Sequence, residues 1–381
     1  MKIPDAPMRD PAQASPLLQR VSEITAAQLA PLAKKIDREG YYPREIMQAL
    51  GAAGAYRALM APPRGNGDFA SSILAMAEVS SVCMSTGFMM WCQNVCGLYI
   101  EQSGNLALIG RALDKHINGE TLGGTGLSNP MKTFSAIESM LLKAQRVNGG
   151  YVVNGTLPWV SNIGSGHYFG AVCHVEGRVN GEAPHHVMFL FDCNAPGATL
   201  KHCPAFSGME GTSTFSVRAT NLFVGEDAII ADPVGPYIKR IKAAFILLQT
   251  GMALGLVQGA IDSMWQVEQQ LSHVNQFLDN RPDELQAEAS DLRARILRLA
   301  ATPFEPHPEY LLEVLDARAH GGELCLRATQ SALLHHGARG YLMNAAPQRR
   351  IREAHFVAIV TPAIKHLRKE IARLSAQELP A

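Results

Sequence analysis

The sequence predicts an α+β protein in three consecutive parts: an N-terminal helical domain (1–117), a middle antiparallel β-barrel domain (118–233) and a C-terminal four-helix bundle (234–381). Three observations predict it. Apolar residues return every three or four positions from Ser15 to about Leu113. Near Asn118 glycine becomes frequent and short alternating runs replace the helical period. After Asp232-Pro-Val-Gly-Pro236 the helical period returns and holds to the end.

In the first part the helical signal runs through Leu17, Leu18, Val21 and Ile24, then Leu29, Leu32 and Ile36, then Ile46 and Leu50. Gly40-Tyr-Tyr-Pro43 interrupts it, and Pro43 suits the first turn of the next helix because its missing N–H is not needed there. Ala61 to Asp68, rich in Pro, Gly and Asn, reads as a loop, and helices resume from Ser71 through Ile100 to about Leu113. In the middle part Leu141–Val147, the turn Asn148-Gly-Gly150 and Tyr151–Asn154 form a strand–turn–strand unit. Further strands are predicted at Tyr168–Val175, His186–Asp192, Leu200–Cys203, Thr214–Leu222 and Ala228–Ile230, spaced as in an antiparallel barrel. The last part holds four helical segments, Tyr237–Asn280, Ala287–Ala301, Pro308–Ala338 and Pro347–Leu374.

Composition narrows the function. With 381 residues, 47% of them hydrophobic and 18% charged, the chain has the material for a large buried core. Its 34 Lys+Arg balance 34 Asp+Glu, so it lacks the basic footprint of a nucleic-acid binder. Seven cysteines, an odd number without a CxxC pair, read as reduced thiols and point to a cytoplasmic protein. Cys92 and Cys96 stand four apart, but no further Cys or His follows at zinc-site spacing, so no metal is expected. The opening Met1-Lys-Ile-Pro-Asp-Ala-Pro lacks the apolar stretch of a signal peptide. Ser85–Ile100 and Ala243–Ile261 reach at most about the 20 residues of a membrane span, carry Gln93, Asn94, Gln249 and Gln258, and read as buried helices rather than membrane spans. Neither a serine nucleophile elbow nor a phosphate-binding P-loop motif occurs.

The joints between the three parts carry a resemblance. Gly149-Gly-Tyr-Val-Val-Asn-Gly-Thr-Leu-Pro-Trp-Val-Ser-Asn162 resembles the β-domain signature of the acyl-CoA dehydrogenase superfamily, Lys-x-Trp-Ile-Thr/Ser-Asn, with Leu157 where the family has Lys. Thr125-Gly-Leu-Ser-Asn-Pro130 is similar to the family's Leu-Thr-Glu-Pro loop, with Ser128 at the Thr and Asn129 at the Glu. Gly208-Met-Glu-Gly-Thr-Ser-Thr214 resembles its Gly-x-Arg-x-Ser segment without the Arg. Gly337-Ala-Arg-Gly-Tyr-Leu-Met-Asn344 and Arg349-Arg-Ile-Arg-Glu-Ala354 are similar to its Gly-Gly-x-Gly-Tyr and Arg-Asp-Ala blocks.

The resemblance implies FAD, held between the β-domain and the C-terminal bundle and completed by a neighbouring subunit of a homodimer or homotetramer. A flavin needs hydrogen-bond donors along its polar edge and a flat wall that excludes water. By carry-over Trp159 is the wall, and Ser161 and Ser128 supply donors. The alternatives are a core tryptophan and turn hydroxyls. Gly337 and Gly340, with Tyr341, match the loop on the dinucleotide side; their alternative is a helix C-cap and turn. Two family features are absent. Gln270-Leu-Ser-His-Val-Asn-Gln-Phe277 stands where Arg-x-x-Phe-Gly is expected, and Leu334, His335 and His336 precede the glycine turn without its usual Gln. The substrate pocket is expected around Phe88, Trp91 and Phe245.

In this family dehydrogenation of an acyl thioester removes an α-proton to a Glu. That Glu lies nine residues after the Arg of the last block, which here is Thr361, or about ten before a Gly-Leu-x-Gln motif, which here is Phe245. No Asp or Glu exists between Glu353 and Glu370 or between Asp232 and Asp262. His355 and His366 flank Thr361 and read as exposed helix-face residues, while Val360 holds the position a monooxygenase would favour. His335 and His336 read as helix-end caps. Three roles stand open: an atypical FAD-dependent oxidoreductase of acyl thioesters, with an electron-transfer flavoprotein as partner; a monooxygenase taking reduced flavin, FAD or FMN, from a flavin reductase; and a catalytically silent flavin- or acyl-binding homologue.

Overall fold

A computed structural model describes residues 15–177 and 184–377, so the opening Met1–Pro7 stretch lies outside the described residues. The first part holds helices α1 (Pro16–Ile24), α2 (Ala33–Glu39), α3 (Arg44–Ala52), α4 (Phe69–Val82), α5 (Met84–Gln102), α6 (Leu106–Leu108) and α7 (Asp114–Ile117). Local chemistry sets their starts. Ser15 accepts the Leu18 N–H at the head of α1, with Pro16 at its first position, and Asp68 accepts the Ser71 N–H at the head of α4. Strand β1 (Gly123–Thr125), too short to read from its Gly-Gly-Thr sequence, leads into α8 (Ser128–Phe134). The Thr125–Pro130 segment is therefore partly helical, and Ser128 is the first residue of that helix.

Strands β2 (Leu142–Val147), β3 (Gly150–Val160), β4 (Tyr168–Val175), β5 (His186–Asp192), β6 (Ala198–His202), β7 (Phe215–Gly225) and β8 (Ile229–Ala231) pair in the order β6-β7-β3-β2-β4-β5-β8, with β1 beside β4. Val147 pairs with Gly150, so Asn148-Gly149 is a two-residue hairpin turn, with Gly149 at φ +77°. Two pairings, β1–β4 and β2–β4, are parallel where the strand spacing predicts only antiparallel ones. Spacing along a chain does not encode which strands meet after a long connection.

The C-terminal part holds α9 (Val234–Leu248), α10 (Thr250–Asn275), α11 (Pro282–Leu299), α12 (Pro308–His336), α13 (Ala346–Ile359) and α14 (Ile364–Gln377). The four predicted segments are six helices. The first is interrupted at Gln249, and the last breaks over Val360–Ala363, where Pro362 has no N–H to give and bars Thr361 from helical geometry. Val234–Asn275 is long and apolar enough to cross a membrane, yet its apolar window is wholly buried in the protein.

Buried side chains of the first and third parts form one continuous core that runs from Val21 to Leu374. Gly251, Gly255 and Gly259, one turn apart on α10, make the contact with α4. A Cβ at any of them would come within 2.7 Å, 2.1 Å or 2.3 Å of the carbonyl oxygens of Ile73, Ala77 or Ser81. The sheet keeps a separate core around Val153, Phe169, Phe189 and Val217. At α13, Arg352 pairs with Asp37 at 2.7 Å, and buried Glu353 lies 3.3 Å from Arg349 and accepts the Met84 N–H.

Candidate functional site

A cleft of ≈ 1190 Å³ opens where the end of β3, α8 and the α13–α14 break meet α5 and α9. It brings together Phe88, Trp91, Ser128, Trp159, Ser161 and Phe245, and Thr361 as well, so the two positions where a base was sought face one space. Gly337 and Gly340 do not line it. Gly337, at φ +59°, caps the end of α12, and Gly340 ends the turn that follows.

Trp159 reaches the cleft because β3 breaks register. Strict alternation from buried Leu157 would send Trp159 into the sheet core. A register shift against β7 between Leu157 and Val160 buries Val160 instead and leaves Trp159 61% exposed. Packing in the sheet core is thus not what holds this tryptophan. On the opposite wall Trp91 meets Phe245 edge-on at 5.1 Å and Phe88 meets Phe356 at 4.6 Å, all of them buried or nearly so.

Hydroxyl chemistry on the polar wall has a direction. Thr212 donates to the Met209 carbonyl, which can only accept; Thr214, at 2.8 Å, therefore donates to Thr212, and Ser161, at 2.7 Å, to Thr214. Ser161 is left with lone pairs for a ligand, so its hydroxyl accepts where the sequence reading made it a donor. Ser128 and Thr361 join hydroxyls at 2.9 Å. From behind, Gln249 Nε2 donates to the Thr361 carbonyl at 2.9 Å, and Arg318 Nε donates to Gln249 Oε1 at 2.9 Å. Arg318 also donates to the Val357 carbonyl at 2.6 Å. Fully buried and without a carboxylate among these partners, its guanidinium is pushed down to about 10 by burial.

Among the residues lining the cleft the one carboxylate is Glu138. Burial lifts its carboxyl, but hydrogen bonds from Lys132 and Asn129, both at 2.8 Å, together with the lysine charge hold it below the usual range. It is a weak proton acceptor. His355 is exposed as predicted and bonds the Ile351 carbonyl through Nδ1 at 2.7 Å. His366 is not: it is 4% exposed, its Nε2 lies 2.7 Å from Ser135 Oγ, and burial lowers its pKa against the pull of Glu370. His335 and His336 sit in the last turn of α12, bonded to the Ser331 and Ser263 carbonyls. Sequence reasoning missed Lys132, Lys365 and Lys369, which also line the cleft, and the Gln249–Arg318 support. Lys365 and Lys369 were visible as charge on the first turns after Pro362, and Lys132 as a charge just past the Thr125–Pro130 segment, but nothing in the sequence aimed them.

Residues 12–120 match the family model described as acyl-CoA dehydrogenase, N-terminal domain. Benzylmalonyl-CoA dehydrogenase of Aromatoleum aromaticum is 24% identical over 347 residues, covering 87% of this chain and 89% of that one. The chain belongs to the acyl-CoA dehydrogenase superfamily. Two solved structures share the superfamily fold along nearly the whole chain. A glutaryl-CoA dehydrogenase of Mycobacterium smegmatis in complex with FADH2 has a TM-score of 0.83 at 15% identity, over 96% of this chain and 94% of its own. The dibenzothiophene monooxygenase TdsC of Paenibacillus sp. A11-2 has a TM-score of 0.79 at 16% identity, over 96% and 98%. This superfamily member thus keeps the three-part architecture while carrying Thr361 and Phe245 where the dehydrogenase motif seeks Glu.

Proposed function

We propose that the protein is a flavin-dependent oxidoreductase that binds FAD in the cleft and acts on an acyl thioester or a related small carbon skeleton. The observation that carries this reading is Trp159, a tryptophan turned out of its sheet to form one wall of the cleft beside Ser161 and Ser128. The residues present fit a flavin: a flat apolar wall, hydroxyls at its edge, and space of ≈ 1190 Å³. When bound, the flavin supplies a two-electron acceptor or donor. Phe88, Trp91 and Phe245 enclose the substrate and keep water out, and Thr361, fixed by Ser128 and Gln249, gives the reacting carbon a wall without a proton acceptor.

The experiment is the visible spectrum of the purified protein with and without added FAD, then anaerobic mixing with a panel of acyl-CoAs. Flavin bands that bleach support dehydrogenation, with an electron-transfer flavoprotein as the onward acceptor. Two observations favour a second reading, a monooxygenase supplied with reduced flavin by a reductase. Among the described residues no free carboxylate lines the cleft, and the Ser161 hydroxyl, its proton committed to Thr214, suits a flavin edge bearing N–H, as the reduced ring does. Bands that form but do not bleach, with oxygen uptake on supply of reduced flavin, select it. Absence of any bound flavin leaves the silent homologue.

Trp159→Ala tests the wall directly. It is expected to weaken FAD binding about tenfold, the worth of an aromatic stacking contact, while unfolding stability moves by no more than about 0.5 kcal/mol, as for other exposed sites. Unchanged FAD affinity by titration of the flavin fluorescence would remove Trp159 from the site.

A homodimer or homotetramer is part of the same reading. Phe277, Leu334, Tyr341, Leu342 and Met343 are all more than half exposed around the ends of α10 and α12, an apolar surface suited to another copy of this chain. Light scattering is expected to report two or four chains, and a monomer at micromolar concentration counts against it.

A further inference from the structure

We propose that His174 and His186, paired across β4 and β5 beside the end of α8, form a binding site for a divalent transition-metal ion, and that Zn2+ is the ion whose geometry fits them. The site lies outside the cleft and depends neither on a flavin nor on the reaction carried out there.

Strand pairing makes the site. β4 and β5 run antiparallel with His174 directly opposite His186, so both side chains leave the same face of the sheet. On that face Val172, Met188 and Leu190 join the helical core, and the two histidines stand at its rim, half-buried and open to solvent. Among the described residues neither imidazole makes a hydrogen bond; their contacts are with each other and with Phe134, which meets His186 edge-on at 5.6 Å. The ring nitrogens are therefore free to ligate. Neighbouring charge does not oppose a cation strongly. Lys143, the register partner of His174 on β2, is answered by Glu176 at 3.4 Å, and His185 is engaged by Asp232 at 2.8 Å.

The separation of the rings selects the ion. A zinc–nitrogen bond of about 2.0–2.1 Å puts the metal about 3.2 Å from the centre of an imidazole that points a nitrogen at it. Two such rings stand about 5.2 Å apart at a tetrahedral angle and about 4.5 Å apart at a square-planar one. The centroids of His174 and His186 are 5.2 Å apart, their planes tilted by 57°. Tetrahedral Zn2+ fits the rings where they stand, whereas Cu2+, which prefers tetragonal geometry, requires them to close up. Among the described residues no third His, Cys, Asp or Glu joins the pair, so water completes the shell. The ion therefore exchanges with solvent, unlike one locked in by four protein ligands. The chain spacing of the two histidines announces none of this, because only the register of β4 on β5 brings them together.

The test titrates Zn2+ by calorimetry into the chelator-treated full-length protein and into its His174→Gln, His186→Gln and His307→Gln variants. None of the three side chains is fully buried, so each variant is expected to melt like the wild type. The wild type is expected to bind Zn2+ at this site, and His174→Gln and His186→Gln each to weaken that binding by about tenfold or more, since even loss of an outer-shell contact costs that much. His307→Gln, an exposed histidine elsewhere, leaves the affinity unchanged. Co2+ in place of Zn2+ is expected to show the intense visible absorption of tetrahedral cobalt, and to lose it in the two site variants. The proposal is overturned if no Zn2+ binds at millimolar concentration, if binding survives either site substitution, if it falls equally with His307→Gln, or if the cobalt spectrum is that of a six-coordinate ion. Should a site variant fail to fold, imidazole nitrogen NMR of the wild type decides. Zn2+ must shift the signals of two histidines that are close to each other, and a shift of one or of none overturns the site.

Discussion

Thr361→Glu is expected to raise the rate of acyl-CoA dehydrogenation by about a hundred- to ten-thousand-fold, the usual worth of a well-placed general base. The wild-type cleft has aromatic walls but, among the described residues, no carboxylate free to take a proton, because Glu138 is bound by Lys132 and Asn129. Thr361 faces that cleft from a segment held on both sides, by the Ser128 hydroxyl and by the Gln249 amide on its carbonyl. A carboxylate grafted there starts from a fixed backbone, which limits the loss from misplacement. The measurement is the rate of anaerobic flavin bleaching by acyl-CoAs, with bound flavin quantified separately, and Thr361→Gln as the control that adds bulk without a proton acceptor. A Glu variant that keeps its flavin and bleaches no faster than the Gln variant would show that proton abstraction is not what the cleft lacks.

Arg318→Ala is expected to cost about 3–5 kcal/mol of unfolding free energy, among the largest single losses available in this fold. The side chain has no exposure at all, so truncation opens a cavity in the core. It also strands the Gln249 side-chain oxygen and the Val357 carbonyl, each of which costs about 1–3 kcal/mol when buried without a donor. Urea unfolding measures it, and a loss under about 1 kcal/mol would mean that water or a neighbour replaces the guanidinium. Arg318→Met, which keeps most of the volume, separates the two contributions: it recovers the cavity part and not the hydrogen-bond part.

Much of the fold was legible because its signals are local. The 3.6-residue period of α1 to α5, the Asn148-Gly149 turn and the return of helices near Val234 each depend on side chains within a few residues, and the elements stand there in the structure. The misses are equally physical. Pro362 was legible as a breaker, yet the apolar period on either side of it masked the interruption that became the cleft's edge. The parallel β1–β4 and β2–β4 pairings depend on how the connections run in space, which no alternation pattern records.

In the site, residue types were readable and directions were not. Trp159, Ser161, Ser128, Phe88, Trp91 and Phe245 were selected from motif and position, and they do face one cleft. Gly337 and Gly340, expected on the dinucleotide side where a neighbouring subunit completes the site, lie outside this cleft. His366 was expected on a helix surface and is buried against Ser135, because α14 turns that face toward the loop after α8.

By itself the sequence determined the order of helical, strand and helical parts, the superfamily, and the absence of a carboxylate at both expected positions of the base. Those are properties of composition, period and position along the chain. Tertiary structure alone decided that Thr361 and Phe245 share one cleft, that a register shift turns Trp159 outward, and that Lys132, Lys365 and Lys369 meet at the head of α14. Each depends on groups far apart in the chain being brought within a few ångströms, and that proximity is set by packing of the shared core and the sheet rather than by any local preference.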